Sequence, residues 1–88
     1  MMAHQGLAKL VEECGEVAQV AGKMLAYPAG PHPDGKGDLR VRLEGEISDL
    51  LAACLFAVTA NGLDEVRIRS RMMAKLQTFA RWHADPAN

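Results

Sequence analysis

At 88 residues the chain is one small domain, near the size at which a single core is marginal and oligomerisation commonly makes up the deficit. Apolar residues make up 49% of it and aromatic ones only 5%, a balance dominated by Ala, Leu, Val and Met that suits packed helices better than a sheet. A formal net charge of −1 excludes a global electrostatic pull toward nucleic acid or an anionic membrane.

No apolar run approaches the length of a membrane span, and the start of the chain lacks the charged opening and apolar core of a secretory signal. A cytoplasmic location is expected. Cys14 and Cys54 fall among apolar residues at helical spacing. They read as small core side chains in a reducing compartment.

Three helices are predicted, so the fold class is all-α in one domain spanning 1–88. The first covers about His4 to Ala26, where Leu7, Leu10, Val11, Cys14, Val17, Ala18, Ala21 and Leu25 recur every three or four residues. It stops before Tyr27-Pro28, because proline lacks an amide hydrogen and drives its predecessor out of helical angles. PAGPHPDGKGD then holds three prolines and three glycines, a connector at about 27–38 that is expected to be mobile. The second helix covers about Asp38 to Ala60, with Leu43, Ile47, Leu50, Leu51, Cys54, Leu55 and Val58. Asn61-Gly62 supplies a left-handed stop, and Asp64 is placed to cap the next helix. The third helix covers about Asp64 to Trp82, with Ile68, Met72, Met73, Leu76, Phe79 and Ala80 on one face. The closing DPAN is expected to fray.

Two carboxylate pairs stand out: Glu13/Glu16 in LVEECGEV and Glu46/Asp49 in LEGEISDLL. Spacing of i, i+3 puts each pair on neighbouring positions of one helix face. At roughly 100° per residue, Glu13 and Glu46 each lie about 90° from the centre of their helix's apolar stripe. Glu16 and Asp49 lie about 60° farther out, so the two pairs occupy equivalent positions at a groove edge. Lys23 falls within about 20° of Glu16 two turns on, whereas Glu12 lies on the outer side about 40° past it.

Such pairs often do no more than solvate a helix. The two possibilities differ physically. Either the pairs face apart into water, or they converge and need a cation to relieve their repulsion. Carboxylates without nearby histidine or thiolate favour magnesium or manganese over zinc or copper. A di-iron bundle would carry Glu-x-x-His motifs, and His4, His32 and His83 do not stand in that relation to a glutamate.

EECGE followed by EISD resembles the EExxE…ExxD signature of MazG-type nucleotide pyrophosphohydrolases, within the all-α NTP pyrophosphatase superfamily. The resemblance extends over LVEECGEVAQVAGKML, RLEGEISDLLAACLFAV and the closing AKLQTFARWH, similar to the tails of short phage and bacterial members. It implies a homo-oligomer, dimer or tetramer, in which helices of different subunits form four-helix bundles. It also implies cleavage of a nucleoside triphosphate to monophosphate and pyrophosphate, with Mg2+ as cofactor and a metal-activated water as nucleophile. On that resemblance Glu13, Glu16, Glu46 and Asp49 would be the metal ligands. Glu12 or Glu13 would orient the water, and Lys23 would contact phosphate. The interval between the motifs is long for the family and the chain is short. Phosphoribosyl-ATP pyrophosphohydrolase, in the same superfamily, carries similar acidic helices.

On the third helix Arg67, Arg71 and Lys75 recur every four residues as a basic stripe, and Trp82 lies two turns beyond Lys75. Lys75 and Arg71 are candidate phosphate contacts and Trp82 a candidate stacking surface for a base. PHPDGKG is not a Walker-type loop, since its lysine is not followed by Ser or Thr at a helix start. The competing function class is a non-catalytic helical module that dimerises through its apolar faces.

Overall fold

A computed structural model describes residues 4–28 and 31–84. They form three helices: α1 (Leu7–Ala26), α2 (Leu39–Ala60) and α3 (Glu65–Ala84). The fold is all-α as expected, with no strand among the described residues.

The predicted boundaries hold to within a few residues, and the differences have local causes. α1 starts at Leu7 rather than His4, because His4 (φ 62°) and the capping Gly6 (φ 84°) adopt left-handed angles that no helix can include. It ends at Tyr27, whose amide bonds back to the Lys23 carbonyl at 2.8 Å just before Pro28. Asp38 caps α2, its Oδ1 accepting from the amides of Arg40 (2.8 Å) and Val41 (3.1 Å). The far end of α2 closes as a Schellman turn: Leu63 N–H bonds to Val58 O and Gly62 N–H to Thr59 O, with Gly62 at φ 61°. Asp64 opens α3 by accepting from the Arg67 amide at 2.9 Å. The fraying expected of DPAN concerns residues 85–88, outside those described.

α1 and α2 pack as an antiparallel hairpin. Asn61 Nδ2 donates to Gln5 O at 2.8 Å, and Gly6 abuts Phe56 and Ala57. Farther along, Glu13 meets Glu46 and Asp49, and near the connector Lys23 and Arg42 meet on Asp34. The connector, expected to be mobile, is thus tied to both helices through Asp34.

The apolar stripes are not buried as a core. Among the described residues only Val20, Leu39, Ala53 and Ala57 are buried hydrophobics, and Cys14, expected inside, is exposed, with Cys54 half-buried. α3 has no buried residue and leaves Met72, Met73, Leu76, Phe79 and Trp82 about half exposed. The molecule measures 46 × 34 × 15 Å, little thicker than one layer of helices. Its radius of gyration is 16.1 Å, against about 12 Å for a compact chain of this length. One layer has no second layer to bury against, so the stripes stay open.

Candidate metal centre

Glu13 of the first acidic pair meets both members of the second across the α1–α2 groove. One carboxylate oxygen from each of Glu13, Glu46 and Asp49 lies within 4.8 Å of the other two. Helix spacing explains this directly: Glu13 projects from the middle of α1, and Glu46 and Asp49 come from successive turns of the antiparallel helix opposite. Glu13 and Glu46 are half-buried while Asp49 is exposed. That gradient matches the angular order predicted from the sequence.

Glu16 is exposed and does not belong to the converging group. Three of the four proposed ligands therefore come together and the fourth faces outward. Small side chains keep the approach open, since Ala52 and Ala53 line the recess beside Glu13 and Asp49.

The electrostatics reflect crowding. The Glu13 carboxyl is pushed above the usual carboxylate range, first by partial removal from water and then by the negative charge of Asp49. Lys9 shares the recess. Its Nζ bonds to Glu12 Oε2 at 3.0 Å, and this bond, with the Glu12 charge and smaller pulls from Glu13 and Asp49, raises the ammonium pKa. Glu12 is thereby turned along its own helix toward Lys9 rather than into the trio.

The donor set suits a hard divalent cation. It consists of carboxylates alone, which favours oxygen-seeking ions. Most oxygen pairs in a Mg2+ shell are adjacent and about 3 Å apart, so the trio, whose oxygens lie within 4.8 Å of one another, would have to draw together to share one ion.

No family model, curated protein or solved structure matches this chain.

The remaining sequence candidates are dispersed. Lys23 is bonded to Asp34 at 2.9 Å rather than facing the trio. Arg71 and Lys75 are exposed on α3, and neither lines the acidic recess. Trp82 packs beside Phe79, ring centres 5.3 Å apart at 44°. Three residues at or near the site were not anticipated: Lys9, Asp34 and Arg42. Lys9 stands four residues before Glu13 and Arg42 four before Glu46, so helix spacing could have pointed to both. Asp34 lies in a turn and carries no periodic signal.

Proposed function

We propose that the chain is a magnesium-dependent nucleoside triphosphate pyrophosphohydrolase that works as a homo-oligomer. The convergence of Glu13, Glu46 and Asp49 carries this reading. Like charges drawn into one half-buried groove are unfavourable without a cation, and the MazG-like motif order supplies the substrate class. A bound divalent cation would neutralise phosphate oxygens and acidify a water it holds.

The chain's own residues supply the rest. Glu13, half-buried and more basic than an ordinary carboxylate, is better placed than Glu12 to orient the attacking water and accept its proton. Glu12 instead holds Lys9 beside the recess, where the ammonium can face a phosphate oxygen. Water oxygen bonds to the α phosphorus, the α–β bridge breaks, and pyrophosphate leaves with the bridging oxygen.

Oligomerisation is the natural outcome of the open faces. A single layer with an extended radius and an apolar α3 face has the form of part of a larger bundle, dimer or tetramer. That same face favours a second reading, a helical interaction module without catalysis.

Incubating the protein with Mg2+ and a panel of common and modified nucleoside triphosphates decides between them. Monophosphate plus pyrophosphate, lost on changing Glu46 or Asp49, is the expected result. No turnover with Mg2+ or Mn2+, together with no stabilisation by either ion, would leave the interaction module.

A further inference from the structure

Lys23 on α1 and Arg42 on α2 close from opposite sides on one carboxylate. Lys23 Nζ stands 2.9 Å from Asp34 Oδ2, and Arg42 Nη1 donates to both Asp34 oxygens at 3.2 Å. The Lys36 amide donates to Oδ1 at 3.0 Å. His32 Nδ1 lies 3.3 Å from Oδ2, but it accepts from the Asp34 amide at 3.0 Å. A nitrogen accepting that bond carries no proton, so this approach is not an ion pair.

Two cations and an amide thus surround one negative charge, leaving one positive charge of the group unbalanced. The arrangement of an ammonium, a guanidinium and a backbone N–H around a small oxyanion is what phosphate recognition uses. The side chains of Lys23, Arg42 and Asp34 are 29%, 20% and 17% exposed, so the cluster is reachable from solvent. Its position matters equally. Arg42 lies about one turn from Glu46 and two from Asp49, and Lys23 two turns from Glu16, all on the same antiparallel pair.

We propose that Lys23 and Arg42 form an anion subsite for the departing phosphates of a polyphosphate substrate, and that Asp34 is its built-in occupant, displaced when substrate binds. The identity of the anion rests on the pyrophosphohydrolase reading; the subsite itself does not depend on the acidic trio. Asp34 keeps two mobile cations aligned in the free protein. It also competes with the substrate, because apparent affinity falls by the fraction of molecules in which the site is open.

The test uses the full chain without divalent metal, with inorganic pyrophosphate as the probe and calorimetry and amide NMR as readouts. Asp34→Asn should bind pyrophosphate at least about tenfold more tightly than wild type, the gain expected when a site closed nine-tenths of the time is opened. Adding Lys23→Gln should abolish the gain. In wild type, pyrophosphate should shift the Lys36 amide, which loses its Asp34 partner. Equal or weaker binding by a folded Asp34→Asn overturns the proposal. Should that variant not fold, a Lys36 amide unmoved by saturating pyrophosphate in wild type overturns it instead. Hydrolysis of triphosphates without the Asp34 effect would remove this subsite alone. The Asp34 effect without hydrolysis would remove the enzymatic reading and leave an anion site.

Discussion

Glu13 and Asp49 face each other across the α1–α2 groove with carboxylate oxygens no more than 4.8 Å apart, and no hydrogen bond or ion pair among the described residues holds either one. Two unpaired acids in that position are a source of instability until a cation arrives. On the proposed metal centre, magnesium should raise the melting temperature progressively with its concentration, since a site assembled only on folding stabilises the folded state when it is filled. In Asp49→Asn the metal-free protein should melt no lower than wild type, and the magnesium response should vanish. Scanning calorimetry with and without EDTA measures both. A wild-type melting temperature indifferent to magnesium and manganese would exclude the metal centre.

Acid and base affect the two charge clusters oppositely. Glu13 holds its proton more tightly folded than unfolded, mainly through desolvation, so its contribution is full below its ordinary value of 4.5 and is lost as pH rises through the folded value. Asp34 is held far below its ordinary 3.8, first by the Lys23 hydrogen bond and then by the Lys36 amide and Arg42. Its contribution is full above 3.8 and lost as pH falls toward the folded value. Melting curves in EDTA across acidic pH should show Glu13→Gln flattening the loss on the high side, and Asp49→Asn only reducing it, since desolvation is the larger cause. Asp34→Asn should flatten the loss on the low side.

Catalysis should rank the carboxylates by their place in the groove. Glu13→Gln, Glu46→Gln and Asp49→Asn should each lower kcat by roughly 10²-fold or more, the scale of removing a group that stabilises transition-state charge. Glu16→Gln, facing outward, should cost distinctly less. Steady-state kinetics on the best substrate of the panel gives the order, and equal losses at all four positions would mean that Glu16 joins the ligands in the working assembly.

Gly6 is fixed by its surroundings. A Cβ there would lie 2.6 and 2.9 Å from the Phe56 ring, and its φ of 84° is strained for any L side chain. Gly6→Ala should destabilise the hairpin by about 1–3 kcal/mol, the usual cost of overpacking. Urea unfolding with an unchanged m-value would show the effect to be on stability alone.

The apolar side of α3 should hold the assembly together. Leu76→Lys places a charge among Met72, Met73 and Phe79, and should shift sedimentation toward monomer while leaving α1 and α2 helical. Wild type sedimenting as a monomer at micromolar concentration would remove the oligomeric part of the proposal.

The helices were legible because their stops are chemical: Pro28, Gly62 and the aspartate caps each act within a few residues. The meeting of Glu13 with Glu46 and Asp49 was legible in outline, since equal angular offsets on two antiparallel helices bring like positions together. The outward position of Glu16 was not, because 60° of helix rotation separates a groove wall from solvent and only packing fixes that angle. Asp34 was hidden for another reason. Its partners are 11 residues back and 8 ahead, set by the path of a proline- and glycine-rich connector rather than by any period. The solvent-facing apolar stripes of α1 and α2 likewise look the same in sequence whether their partner is the same chain or another.

That α3 buries no residue against the hairpin gives the chain two kinds of folding step. α1 and α2 belong to one chain, so their closure is unimolecular and its rate ignores concentration, even though contacts such as Gln5–Asn61 span 56 residues. On the oligomeric reading, α3 finds its cover only by collision, so its burial belongs to a slower phase that quickens as protein is added. Dilution would then loosen α3 first and leave the hairpin carrying Glu13, Glu46 and Asp49 intact.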